Sequence, residues 1–134
     1  MKKLIPLLLI LILSNCALYD AYTMTPFDAN EYKLITDIRA EAQIAKEQCN
    51  DVLLSKTNAI KLLNDTQLFV LYSEHIPSNN NVISSSKDLH TIAQGLVDQY
   101  AKSDKVSTGF CKIKFTSIES NADIMQKTIA GRPR

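Results

Sequence analysis

Seven side chains of this 134-residue sequence could carry most of its chemistry: Cys16, Cys49 and Cys111, and the set Glu74, His75, Asp88 and His90. A thiol can be acylated, oxidised to a disulfide or, as the thiolate, bound to a metal. Imidazole nitrogens and carboxylate oxygens together could hold zinc. The two histidines do not stand at i, i+4 spacing, so the metal reading of Glu74, His75, Asp88 and His90 is weak. They read first as solvated residues at helix ends, with His75 favoured near a helix C-terminus. The motifs of common reactions are missing: there is no Gly-x-Ser-x-Gly, His-Glu-x-x-His, glycine-rich phosphate loop or Cys-x-x-Cys. Haem attachment through Cys-x-x-Cys-His is likewise not encoded. The expectation is a protein without a catalytic centre and without a cofactor.

Cys16 draws its meaning from the residues before it. Lys2 and Lys3 make a basic start, Leu4 to Leu13 are apolar throughout with Pro6 among them, and Leu13-Ser14-Asn15-Cys16 follows. A positive end, a short apolar run and small polar residues form a secretory signal. The run is far shorter than the roughly 20 residues that cross a bilayer as a helix. The competing readings are a short uncleaved anchor and a plain secretory cut. The segment resembles the signal peptide and lipobox of bacterial lipoproteins, with Leu13 and Ser14 at the expected places and Asn15 where Gly or Ala is usual. The resemblance covers residues 1–17. It implies that 1–15 are removed, that Cys16 is acylated, and that 16–25 tether a domain spanning 26–134. Ala17, in place of the Asp that favours inner-membrane retention, implies the outer membrane, with the protein facing the periplasm.

Fifteen Lys and Arg stand against fourteen Asp and Glu. So balanced a chain offers no electrostatic footprint for nucleic acid. Its length suits one small domain with a modest core. If Cys16 carries lipid, Cys49 and Cys111 remain as a pair, and an oxidising compartment would join them; two buried free thiols are the alternative.

The elements that must position these residues read as helices. Thr25-Pro26-Phe27-Asp28 looks like a helix start, with Thr25 as N-cap and proline in the first turn. Leu34, Ile35, Ile38, Ala42, Ala45 and Cys49 then recur at helical steps. A second helix carries Ala59, Leu62, Leu63, Phe69, Val70 and Ile76, and must stop before Pro77. Ser85 and Asp88 form a plausible capping pair for a third helix, which carries Leu89, Ile92, Ala93, Leu96, Val97 and Tyr100. The last shows Cys111, Phe115, Ile118, Ala122, Met125 and Ile129, and Gly131 and Pro133 stop it. The spacing predicts an all-α, up-and-down antiparallel four-helix bundle with helices over about 26–49, 52–76, 86–102 and 108–130. Such a bundle brings the end of the first helix and the start of the fourth together, and so Cys49 and Cys111. A single long antiparallel hairpin turning near Asn80, and dimerising, is the rival arrangement.

The basic tail Gly131-Arg132-Pro133-Arg134 is expected to lie exposed beside the tether, and Lys112 and Lys114 to be plain surface. The functional expectation is a membrane-anchored, non-enzymatic interaction or scaffold module bound to another envelope protein. The alternative is a phage outer-membrane lipoprotein, either outer spanin-like in lysis or active in superinfection exclusion. A small-molecule carrier fits less well, because the Ala-rich first helix favours close packing over a cavity.

Overall fold

A computed structural model describes residues 24–103 and 105–134. The leader, Cys16 and most of the tether lie outside the described residues. Four helices follow one another: α1 (Ala29–Glu47), α2 (Val52–Glu74), α3 (Asn80–Lys102) and α4 (Thr108–Ala130). The pairs α1–α4, α2–α3, α1–α2 and α3–α4 pack together, closing an up-and-down ring. Helices α1 and α2 are separate, as are α3 and α4, so the long hairpin is not formed. No helix among the described residues is long and apolar enough to cross a membrane.

One repeat organises the core. The buried positions of α1 include Glu31, Ile35, Ile38, Ala42 and Ala45, followed by Cys49 in the turn beyond. Those of α2 include Ser55, Ala59, Leu62, Thr66, Phe69 and Ser73. Val82, Ser86, Leu89, Ala93, Leu96 and Tyr100 do the same in α3, and Cys111, Phe115, Ile118, Ala122, Met125 and Ile129 in α4. Each series steps by four and three residues alternately. That is the 3.5-residue repeat of helices that interdigitate at shallow angles. With the chain directions taken into account, the series stack into six layers. Small residues in a layer stand across the ring from large ones: Ala45 lies opposite Leu96, and Ala59 opposite Phe115.

The polar members of the series do not break the core. Ser55 Oγ donates to the Val52 carbonyl, Thr66 Oγ1 to Leu63 and Ser86 Oγ to Ile83. Each hydroxyl is thus satisfied within its own helix while its small size lets α2 and α3 approach closely.

Two predicted helix starts are corrected. The N-cap of α1 is Asp28, whose carboxylate accepts from Glu31 N at 2.7 Å. Thr25 instead donates to the Ser78 carbonyl, 53 residues away. Helix α3 begins at Asn80, not near 86; Ser85 lies inside it and donates to the Asn81 carbonyl, so Ser85 and Asp88 cap nothing. The polar run 78–86 thus folds mostly as helix, because Val82 and Ser86 hold core positions. Helices α1 and α2 end at Glu47 and Glu74, two residues short of the expected 49 and 76; α4 keeps its expected bounds.

Candidate functional site

The two ends of the bundle and the outer face of α2 are where its polar and apolar chemistry concentrates. At one end Cys49, in the turn after α1, and Cys111, in the first turn of α4, form a disulfide with Cα atoms 5.8 Å apart. In the same layer the Tyr100 hydroxyl donates to Ser55 Oγ at 2.8 Å. Val106, from the α3–α4 connection, covers this layer. Lys112 is exposed beside it, and the Lys114 ammonium stands 5.5 Å from the Phe110 ring centroid.

Glu74, His75, Asp88 and His90 are not brought together as a ligand set. The Glu74 carboxylate is paired with Lys87 at 2.8 Å. His75 caps the C-terminus of α2 and is exposed, as is Asp88. His90 Nδ1 lies 3.1 Å from Thr66 Oγ1. Thr66 is nine residues before His75 on the same helix, about 13 Å along its axis. The early start of α3 explains this, since it carries His90 well into the helix and away from the loop. Among the described residues no cluster of three or more His, Cys, Asp or Glu side chains could hold a metal.

At the other end the chain termini meet, and here lies the group that sequence reading missed. Glu31 is wholly buried, and its carboxylate accepts from Ser73 Oγ at 3.0 Å and from Asn79 Nδ2 at 2.6 Å. Arg132, its side chain 9% exposed, pairs with the second Glu31 oxygen and also donates to Asn79 Oδ1. The tail is exposed as expected at Gly131, Pro133 and Arg134, but the Arg132 side chain is drawn into the bundle. The tail folds back so that Phe27 N donates to the Pro133 carbonyl, and Arg134 lies 5.0 Å from the Phe27 ring centroid. Asp28 joins the same end, accepting from Tyr72 OH as well as capping α1. Asn79 precedes α3 yet makes no side-chain cap, because its amide is committed to Glu31, Ser73 and Arg132. Ser78 holds the tight connection with φ of 61°.

A signal for this clasp existed. Stepping back four residues from Ile35 lands on Glu31, and stepping on four from Phe69 lands on Ser73. The positions are core positions; only the residue types conceal them. Arg132 had no such signal, because its role depends on how the chain leaves α4.

The outer face of α2 is the third feature. Leu53, Ile60, Leu68 and Leu71 are 77%, 44%, 52% and 50% exposed. At 100° per residue they lie directly opposite the buried series of their own helix. On the outward side of α3 stand Ser84, Lys87, Asp88, Thr91, Asp98 and Lys102, none of them apolar. Leu68 also borders a groove between α1 and α2, with a volume of about 380 Å³, lined further by Leu34, Asp37 and Lys61.

Charged side chains tie the remaining surface. Along the α1–α4 seam Lys46 pairs with Glu119 at 2.7 Å, and that hydrogen bond holds the ammonium above its usual pKa. Arg39 pairs with Asp123 at 2.9 Å. The hydrogen bond from Lys127, helped by Arg39, keeps the Asp123 carboxyl below its usual range. At Lys61 burial works to lower the pKa, but hydrogen bonds to Asp65 and Glu41 outweigh it and the net shift is upward. Among the described residues no buried side-chain nitrogen or oxygen lacks a partner. Comparison with known protein families, with curated proteins and with solved structures finds no match for this chain.

Proposed function

We propose that this chain is a lipoprotein of the outer membrane, held by acyl groups on Cys16 and facing the periplasm, that works as a non-enzymatic protein-interaction module of the cell envelope. The anchor half of the reading rests on Lys2, Lys3, the apolar run and Leu13-Ser14-Asn15-Cys16. A single myristoyl chain binds a bilayer only marginally, so the two or three chains of a lipoprotein are what would make attachment lasting.

The observation that carries the interaction half is the outer face of α2. A small body that seals its core with interleaved layers nonetheless leaves a row of leucine and isoleucine in water. Scattered apolar residues are ordinary on a surface, but a contiguous patch rimmed by polar groups marks a contact site. The polypeptide joins the tether at Met24, at the clasp end, so an anchor at Cys16 would hold the bundle by that end and leave the long side of α2 accessible.

Cross-linking in cells, comparing the acylated chain with Cys16→Ser, tests both halves. The acylated chain should fractionate with the outer membrane and link to protein neighbours, while Cys16→Ser should move to the soluble periplasmic fraction. Mass spectrometry that finds residues 1–15 intact would end the anchor reading. Repeated recovery of the anchored chain without any protein neighbour would end the interaction reading. Adjacent endolysin and holin genes would move the role to lysis.

A further inference from the structure

We infer that the occupant of the outer face of α2 is the same face of a second copy of this chain, packed in parallel about a two-fold axis along the bundle. This deepens the interaction reading and rests on it. Leu53, Thr57, Ile60, Asn64 and Leu71, with Leu68 beside them, run the length of the helix at steps of three and four. It is a second seam of the kind that builds the core, on the opposite side of one helix.

The area fits a copy. Leu53, Ile60, Leu68 and Leu71 are each between 44% and 77% exposed, and Thr57 and Asn64 between them are exposed as well. Together they hold on the order of 500 Å² of accessible surface, so two copies would bury about 1,000 Å², the lower bound for a specific interface. An isologous contact needs one self-complementary patch, and two-fold dimers are the commonest closed assemblies.

Asn64 sets the direction. It is exposed at the middle of the seam. Parallel pairing sets Asn64 against its own copy, where one amide donates and the other accepts. Antiparallel pairing that matches Leu53 with Leu71 sets Asn64 against Ile60 and leaves a covered amide without a partner. A single asparagine in such a seam specifies register and orientation. The flanking charges do not oppose approach, because Lys61 is paired with Glu41 and Asp65, and Glu74 with Lys87, within one copy. Two bundles anchored at the same end in one leaflet already share a direction, and confinement raises their effective concentration.

The test joins sedimentation equilibrium of the mature Cys16→Ser chain with cross-linking of the acylated chain in membranes. A dimer is expected, and Ile60→Glu with Leu71→Glu should weaken it by at least ~100-fold, as loss of central interface anchors does. Both changes lie on the outer surface, so unchanged helix content, and unchanged melting at dilutions where both proteins are monomeric, will mark them as interface effects. In membranes, Thr57→Cys, which keeps Asn64, should link to its own copy through a short bis-thiol reagent. A mixture of Thr57→Cys and Gln67→Cys should not give the mixed product preferentially, because the two positions lie about 15 Å apart along a parallel pair. A preferred mixed product overturns the parallel register, and a dimer unaffected by the two glutamates overturns the face. A monomer in solution together with no Thr57→Cys link in membranes overturns the pairing. If that last result comes with capture of a different protein through positions 57 or 67, this inference falls and the interaction reading stands. Linking of Thr57→Cys in the Cys16→Ser chain as well supports the pairing even if the anchor reading fails.

Discussion

The two ends of this bundle close the same core by different chemistry. One is stapled covalently by Cys49–Cys111 across a sequence separation of 62, with Tyr100 and Ser55 hydrogen-bonded in the same layer. The other is held by the Glu31, Ser73, Asn79 and Arg132 group. The staple acts through the chain's unfolded state, by removing its freedom. The clasp acts only in the folded state, where a buried carboxylate needs every one of its donors. The first should therefore tolerate change around it, and the second should not.

Removing the staple is the largest expected effect. Cys49→Ala with Cys111→Ala should lower the unfolding free energy by about 4 kcal/mol on the loop-entropy model. Urea denaturation of the oxidised chain against the variant will read it, and a loss under about 1 kcal/mol would mean that the closed loop contributes little beyond packing. Reduction of the unaltered chain should give the same loss, since in both cases the loop opens.

The clasp comes next. Arg132→Met leaves the Glu31 carboxylate buried with Ser73 and Asn79 alone, and should cost about 3 kcal/mol. Adding Glu31→Leu should recover most of that loss, because an apolar pair of similar volume commonly matches a buried ion pair. If the double variant is as unstable as the single, the clasp is worth more than its charges, and the return of the tail along Phe27 and Pro133 would be the reason. Deleting residues 131–134 would then cost more than Arg132→Met.

Within the stapled end, Tyr100→Phe removes the donor to Ser55 and should cost about 1 kcal/mol. Ser55 retains its bond to Val52, so no hydroxyl is left stranded. The cost should be the same in oxidised and reduced protein. A much larger cost after reduction would show that hydrogen bond and staple share one function, contrary to the division drawn between the ends.

The ends also differ in how far they could be read from residues alone. Cysteines announce themselves, and the steps from Cys111 through Ile129 placed α4 and its core face without a miss. The clasp is made of types that usually lie in water, so Glu31 and Ser73 were passed over although they sit in register with Ile35 and Phe69. Asn79 and Arg132 depend on contacts 48 and 101 residues away in sequence, to Glu31, and no local pattern encodes those. The start of α3 was hidden for a related reason: Ser85 and Asp88 have the spacing of a capping pair, whereas Asn79, which does precede the helix, spends its side chain on a distant carboxylate and caps nothing. The α2 face was hidden differently, because Leu53, Ile60, Leu68 and Leu71 share one helix with the core series of Ala59, Leu62 and Phe69, and a helix apolar on two sides shows no single face in its spacing.

The smallest effect is the most diagnostic of burial. Asp123 stands on α4 between Lys127 and Arg39 and is partly exposed, its side chain at 24%, whereas Glu31 is enclosed; both are carboxylates facing an arginine. The Lys127 hydrogen bond lowers the Asp123 pKa below 3.8. A depressed carboxyl stabilises the fold above its unfolded pKa, and that contribution disappears as pH falls through the folded value. Asp123→Asn should therefore lower the melting temperature slightly near neutral pH, and the difference should close once acid has protonated the native carboxylate. Because exposed pairs are screened, raising the salt should shrink the same difference at pH 7. Arg132→Met measured alongside should keep its deficit in high salt, since the pair it breaks is shut away from the ions. If both deficits shrink together, the clasp opens to solvent in the working protein, and its contrast with the seam is one of degree.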